Sequence, residues 1–480
     1  KTTNRAWNRA TMTKRQPGSA IKPLTVYAPA IEYGFITPAT VFDDSPLFED
    51  TRWPKNQSSG FSGRMTVKKA VQVSANTISA KVLDLVTPER SFSFATVNLG
   101  LDLVRSETIG EQVFTDIDYA PLALGGLTRG LSVLEMTAAY ASFANRGVYT
   151  EPSTFSLVLD SDGNVLLENS PETHVAMKEK TAMYINNLLR NAVESGTGRA
   201  ARIDYMAVAG KTGTTNDDKD RWFVGYTPYY CAAVWLGYDE PKEIKLEKTY
   251  NPSLYVWKSV MDKLHEGLES RSFFTLETVQ AQYCIDSGLA PSQYCSLDPR
   301  GNRVTTGTFL KEDVPTQTCN CHVPVQIDST TNMRATPYCP EEEVVTISLI
   351  SVYRTGEIAM SDDAYLYKEA VYAADGSNPA TDASGELRDY NTYCTYHTSY
   401  EDLEPEEWIP SEFEIPDTTP ESDSPDGNEE NDIPDPDSSE GTTDTPLESE
   451  TDTPPDNEPD STPDNTNEGG SSGTIDISED

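Results

Sequence analysis

The run Arg15-Gln16-Pro17-Gly18-Ser19-Ala20-Ile21-Lys22-Pro23 sets a serine one helical turn ahead of a lysine. A serine hydroxyl is a weak nucleophile at neutral pH and needs an adjacent base. Residues i and i+3 share a helical face, so Lys22 can reach Ser19 Oγ. A lysine accepts a proton only when neutral, so such a site must lower its pKa. Burial and a second cation, here Lys211, both push that way. Pro23 has no N–H and is best tolerated in a first helical turn. Ser19 is thereby placed at a helix start, where its own N–H lacks an intrahelical acceptor. An oxyanion hole uses such a donor.

Two further motifs complete this chemistry, Ser74-Ala75-Asn76 and Lys211-Thr212-Gly213-Thr214-Thr215. Ser74 can pass a proton between Lys22 and a leaving amine, and the Asn76 side chain can hold a substrate amide. In a strand, alternate residues share a face. Lys211, Gly213 and Thr215 then point one way, Thr212 and Thr214 the other. Gly213 removes a side chain where substrate backbone would lie. Each motif alone has a plainer reading: a solvated helix start, a helix cap, a strand end. The three in this order are the parts of an acyl-serine enzyme that attacks an amide.

The elements that must position these residues are legible. A helix is expected from Ser19 to about Glu32, ended by Gly34. A second starts at Thr66, is interrupted by Ser74-Ala75-Asn76 and resumes over Ile78–Val86. Ser132-Val133-Leu134-Glu135 is a capping box opening a helix that ends before Gly147. Glu179–Glu194 is helical, closed by Gly196. Strands follow near 205–214, 221–227 and 229–238, and the short links make them antiparallel neighbours. A helix over about Leu254–Glu269 closes the unit. Helices first and an antiparallel sheet after them give an α+β fold.

With these motifs in place, the chain resembles the transpeptidase domain of class A (bifunctional) penicillin-binding proteins. Asn4-Arg5-Ala6 and Asn8-Arg9-Ala10 precede Arg15-Gln16-Pro17-Gly18 as in that family. Leu124-Gly125-Gly126, Gly130-Leu131-Ser132 and Ala138–Gly147 resemble its mid-domain helix. Gly196-Thr197-Gly198-Arg199-Ala200-Ala201 precedes the Lys-Thr-Gly strand. Trp222–Pro228 and Ala233–Tyr238 resemble its next two strands. The resemblance covers about residues 1–270, and a Cys-containing tail like 284–322 is sometimes attached in relatives.

This resemblance implies the penicillin-binding/β-lactamase-like fold, an antiparallel sheet flanked by helices. It implies that Ser19 is acylated by the penultimate D-alanine of a peptidoglycan stem peptide, releasing terminal D-alanine. An amine from a neighbouring stem would resolve the acyl-enzyme into a cross-link. Lys22 would be the general base, with Ser74 and Lys211 as proton shuttles. Asn76, Thr212, Gly213 and Thr214 would bind substrate, the two threonines through its terminal carboxylate. The backbone N–H groups of Ser19 and Thr214 would form the oxyanion hole. β-Lactams would mimic the D-Ala-D-Ala amide and trap Ser19. No metal or organic cofactor is called for.

Relatives carry a membrane anchor, a glycosyltransferase domain and two strands of the catalytic sheet before the nucleophile helix. Eighteen residues precede Ser19 here. The chain is therefore expected to be the C-terminal part of a longer protein at the extracytoplasmic face of a bacterial membrane. The strand around Tyr230–Gly237 would then be an open apolar edge. Cell-wall or divisome proteins are the partners such a location suggests.

Composition divides the 480 residues further. The net charge of −40 is concentrated at the end: residues 401–480 hold 29 Asp and Glu and no Lys or Arg. That Pro/Ser/Thr-rich stretch has too little apolar surface to offset chain entropy and is expected to be disordered. A polyanion also repels nucleic acid, which excludes that partner. The expected organisation is a transpeptidase domain over 1–272, a Cys-containing module over 273–400 and the tail over 401–480. Cys231 lies in an apolar strand and reads as a buried thiol. Cys284, Cys295, Cys319, Cys321, Cys339 and Cys394 are expected to form three disulfides. A metal site using Cys319, Cys321, His322 and one more is the alternative. Glu343–Tyr353 alternates as a strand pair ending at Thr355-Gly356. Two other functional classes stay open: a hydrolase on the same scaffold (D,D-carboxypeptidase or β-lactamase), and a non-catalytic penicillin-binding sensor.

Overall fold

The structure is a computed structural model that describes residues 7–58, 60–246, 250–355, 358–372 and 390–397. The acidic stretch 401–480 lies outside them, as does Gly356. At the centre is a three-stranded antiparallel sheet in the order Cys231–Gly237, Asp220–Tyr226, Ala209–Thr214. Strand alternation gives this sheet two apolar faces. Trp222, Val224 and Tyr226 enter the main helical core, with Leu24, Tyr140, Phe143 and Leu188. Phe223 faces the other way, against Leu254, Trp257 and Met261. The result is helix, sheet, helix, an α+β arrangement as expected.

Local signals account for most of the helices. Thr66 caps Val67–Val73 by accepting the N–H of Lys69. Ser132 and Glu135 form a capping box at the head of Val133–Ala144. Glu179–Ser195 stops at Gly196. The helix before the first motif's end is less regular than expected: Gly18–Ile21 is a 3-10 turn, Pro23–Tyr27 a π-turn and Ala28–Glu32 α-helical. Pro23 and Pro29 carry no N–H, which loosens the i→i−4 ladder there. The closing helix spans Pro252–Leu264 and ends short of Glu269, since Gly267 takes φ +80° and turns the chain.

Among the described residues, Cys231–Gly237 pairs with Asp220–Tyr226 alone, and every residue in it is half-buried. The Arg15 guanidinium lies 5.2 Å from the Trp235 ring and covers part of this edge.

Beyond 272 come a two-stranded sheet, Val279–Cys284 with Val304–Phe309, and a three-stranded one around His322–Asp328. The strand expected over 343–353 is Val344–Ile350, and it pairs with His322–Asp328 rather than with a local hairpin partner. Polar ties join this region to the catalytic part. Arg354 pairs with Asp43 at 2.7 Å and Asp362 at 2.6 Å. Asp313 pairs with Lys180 at 2.7 Å and accepts the Tyr184 hydroxyl.

The expected disulfides are a correction. All seven cysteines are free thiols. Cys319 and Cys321 hold their sulfurs 3.6 Å apart, far beyond the ~2.05 Å of an S–S bond.

Candidate active site

Ser19 sits in the Gly18–Ile21 turn, half-exposed, between fully buried neighbours. The segment is held at several points. The Tyr140 hydroxyl donates to Ala20 O at 2.6 Å, and Thr25 Oγ1 donates to Leu122 O at 2.6 Å. Trp222 Nε1 donates to Gln16 O at 3.0 Å.

The three sequence motifs converge. Lys22 is fully buried, and its Nζ lies 3.0 Å from Ser74 O, 3.2 Å from Ala75 O and 2.7 Å from Asn76 Oδ1. Lys211 Nζ donates to Ser74 Oγ at 2.8 Å and to Thr212 O at 3.1 Å. Burial, and then the charge on Lys211, lower the Lys22 pKa well below its ordinary value. Burial alone brings Lys211 down to about 7. Lys211 is thereby made available as a proton carrier near neutral pH, and the neutral form of Lys22 is favoured in the same direction.

The Ser-Ala-Asn corner owes its shape to its backbone. Ser74 is the C-cap of Val67–Val73 at φ 62°, ψ 39°, and Asn76 opens the next helix, Asn76–Val86. A left-handed residue reverses the chain in one step. Ser74 Oγ thus faces Lys211 while its carbonyl faces Lys22.

Two glycines let the Lys-Thr-Gly strand touch the nucleophile turn. A Cβ on Gly18, whose φ is +53°, would stand 2.4 Å from Thr214 O. One on Gly213 would stand 2.1 Å from Pro17 O and 3.0 Å from Ala20 Cβ. The absent Gly213 side chain therefore makes room for the nucleophile turn, not for substrate backbone as the sequence suggested. This contact sets the Gly18 backbone directly against Thr214.

The remaining assignments lie at the rim. Thr212 Oγ1 donates to Thr197 Oγ1 at 2.9 Å, and Arg221 Nη1 donates to Thr214 Oγ1 at 3.4 Å. Both threonines are half-buried on the edge strand. Asn76 uses its Oδ1 for Lys22 and one Nδ2 hydrogen for Lys55 O at 2.8 Å.

Sequence reasoning missed the residues behind Asn76. Asn56 Oδ1 accepts the Asn76 N–H at 2.8 Å. Asn56 Nδ2 in turn donates to Asp44 Oδ1 at 2.6 Å, and Asp44 Oδ2 accepts the Ser62 N–H at 2.8 Å. Asn56 lies in a loop and Asp44 at the end of the short strand Val41–Asp44, and neither sits in a motif or a periodic run that the sequence would single out. Thr197, in the Gly-Thr-Gly run, was visible as a motif but not as a partner of Thr212.

Comparison with known proteins gives the family. A family model described as the penicillin binding protein transpeptidase domain matches residues 1–251. The chain belongs to this family. A second model, the C-terminal domain of penicillin-binding protein 1A, matches residues 277–324. The chain is similar to penicillin-binding protein 1A of Clostridium perfringens, at 34% identity over 67% of this chain and 39% of that protein. It is also similar to penicillin-binding protein 4 of Bacillus subtilis, at 36% identity over 53% of this chain and 39% of the relative. It thus spans about two-fifths of the length of these relatives. Its fold resembles that of penicillin-binding protein 1A from Haemophilus influenzae: TM-score 0.53, 22% identity, 65% of this chain and 50% of that one.

Proposed function

We propose that this chain is the D,D-transpeptidase portion of a peptidoglycan synthase, working through an acyl-serine at Ser19. One observation supports this reading above the others: two buried lysines of lowered pKa meet at Ser74, and one of them, Lys22, lies three residues after the half-exposed Ser19.

The steps rest on the chemistry of each group and on the contacts that Lys22 and Lys211 make at Ser74. Neutral Lys22 takes the Ser19 proton as Oγ attacks the carbonyl of the penultimate D-alanine. The developing oxyanion is met by the N–H groups of Ser19 and Thr214. Ser74, hydrogen-bonded to Lys211, delivers a proton to the departing amine of terminal D-alanine. Thr212 and Thr214 hold the terminal carboxylate, and Asn76 the stem amide. An acceptor amine then attacks the acyl-serine, with the proton path reversed. A β-lactam follows the first half of this route and stays bound, because its leaving amine remains tethered.

The full-length protein is proposed to be bifunctional, with a glycosyltransferase domain and an anchor placing this part on the outer side of a bacterial membrane. Among the described residues no helix is long and apolar enough to cross a membrane. D-Alanine release from a stem pentapeptide, with and without an acceptor amine, tests the proposal. Cross-linked product is expected with acceptor. Release as free tetrapeptide alone would make the protein a carboxypeptidase, and β-lactam hydrolysis without stem turnover would make it a β-lactamase. Acylation by penicillin with no stem turnover would make it a sensor.

A further inference from the structure

The region after residue 277 contains an internal repeat. Ile285-Asp286-Ser287 leads to Ala290, then to Tyr294-Cys295; Ile327-Asp328-Ser329 leads to Ala335, then to Tyr338-Cys339. Each copy later closes with Cys-x-x-His, at Cys319–His322 and at Cys394–His397. The folds correspond too. The first run lies at the end of a strand, just after Val279–Cys284 in one copy and closing His322–Asp328 in the other, and each strand pairs antiparallel with the strand after the Tyr-Cys, Val304–Phe309 or Val344–Ile350. The N–H of Ser292 donates to Cys295 Sγ at 3.3 Å, and the N–H of Thr336 donates to Cys339 Sγ at 3.3 Å. Such N–H···S bonds favour a sulfur that carries negative charge.

The closing Cys-x-x-His of each copy returns to its Tyr-Cys. Cys284, Cys295, Cys319 and His322, all buried, each offer one ligand atom within 4.8 Å of the others; so do Asp328, Cys339, Cys394 and His397. His322 Nδ1 stands 3.4 Å from Cys319 Sγ and 3.5 Å from Cys284 Sγ. Ligands of one tetrahedral zinc, at about 2.3 Å for sulfur and about 2.0–2.1 Å for nitrogen, stand roughly 3.6 Å apart. In the second set Cys394 Sγ lies 3.8 Å from His397 Nδ1. There Asp328 Oδ2 and His397 Nδ1 are closer, at 2.6 Å, and would part by less than about 1 Å to share an ion.

The surroundings orient the imidazoles. His322 Nε2 faces Asp298 Oδ2 at 3.2 Å and Asp286 Oδ2 at 3.4 Å. A carboxylate on one ring nitrogen fixes the tautomer and leaves the other for a metal. His397 Nε2 similarly faces Glu343 Oε2 at 3.6 Å. Three ligands of each set are repeated, the Tyr-Cys cysteine and the Cys-x-x-His pair. The fourth differs, Cys284 in the first copy and Asp328, the counterpart of Asp286, in the second, while Cys321, whose counterpart is Tyr396, flanks the first set.

We propose that the two copies are paired zinc sites: Cys284, Cys295, Cys319 and His322 hold one ion, and Asp328, Cys339, Cys394 and His397 a second. A closed, near-tetrahedral set of four thiolate, imidazole and carboxylate ligands suits zinc. Each ion ties a hairpin to a distant segment, 24 residues apart from Cys295 to Cys319 and 55 from Cys339 to Cys394. Long loops closed in this way stabilise a small module whose apolar core is thin.

The test is zinc content and thiol state of the whole chain, purified without chelator, by elemental analysis and native mass spectrometry. Two zinc ions per chain are expected, and six free thiols at 284–394 after chelation under inert gas. Cys295→Ser and Cys394→Ser should each leave one ion, and cobalt(II) in place of zinc should give a thiolate charge-transfer band. Absence of zinc from the wild-type chain, with masses lowered by two hydrogens per cysteine pair, would overturn the proposal in favour of disulfides. One ion, kept in Cys394→Ser and lost in Cys295→Ser, would overturn the second site. The wild-type measurement needs no variant to fold.

Discussion

Lys211 Nζ donates to Ser74 Oγ at 2.8 Å, and the carbonyl of the same Ser74 lies 3.0 Å from Lys22 Nζ. One residue in a left-handed turn thus stands between two buried amines. Burial lowers the pKa of both, and the charge on Lys211 lowers that of Lys22 further.

The pH dependence of acylation follows. Lys22 must be neutral to take the Ser19 proton, and its charged form is disfavoured first by burial and then by Lys211. Acylation by penicillin should rise with pH through the lowered Lys22 pKa. Removing Lys211 by Lys211→Ala takes away a like charge, so the Lys22 pKa moves up. The rising limb of whatever acylation remains should then shift to higher pH, in a rate profile followed by stopped-flow fluorescence. A limb that stays in place would mean the two amines do not communicate.

An alanine at position 213 tests the close approach of strand and nucleophile turn. Its Cβ would meet the Pro17 carbonyl at 2.1 Å, a backbone atom that cannot swing aside. Gly213→Ala is expected to cost about 1–3 kcal/mol and to abolish most acylation. Thermal unfolding and penicillin labelling read the two effects. Full activity would show that the strand can recede without disturbing the oxyanion donors.

Asn56 is expected to matter although it touches neither nucleophile nor base. Asn56→Ala leaves the Asn76 N–H without its acceptor, at about 1–3 kcal/mol if the group stays dry. Because Asn76 Oδ1 also receives Lys22, acylation should slow with Ser19 intact, and Asn56→Asp should restore part of the rate. Comparing the two variants separates positioning from general loosening.

Thr212 and Thr214 are expected to act on substrate rather than on chemistry. Thr214→Val removes a hydroxyl that Arg221 now approaches at 3.4 Å. The KM for a stem peptide should rise while acylation by a reactive thioester lacking the terminal carboxylate changes little. Equal losses on both substrates would place Thr214 in the proton path instead.

Much of this was legible before any coordinates. Ser19, Lys22, Ser74 and Lys211 were found because acyl transfer restricts residue types and spacing, and the Ser74 break in the helix because the apolar pattern stops there. Asn56 and Asp44 were not, since side-chain hydrogen bonds made from a loop and from a strand end leave no period in the chain. The Gly213 assignment was misread because alternation tells which face a residue takes but not what packs on that face. The cysteines were misread for a related reason. Their number suggested disulfides, whereas the repeat that groups them, with His322 and His397, becomes evident when the two hairpins are superposed in thought on their shared Tyr-Cys and Cys-x-x-His ends.

The most direct test of the central claim is the intact mass of the protein after incubation with benzylpenicillin, beside Ser19→Ala. One covalent adduct on the wild type, mapped to Ser19 and absent from the variant, is the predicted result. A folded wild-type chain that acquires no adduct, or a Ser19→Ala chain that is labelled as fully, would contradict the account.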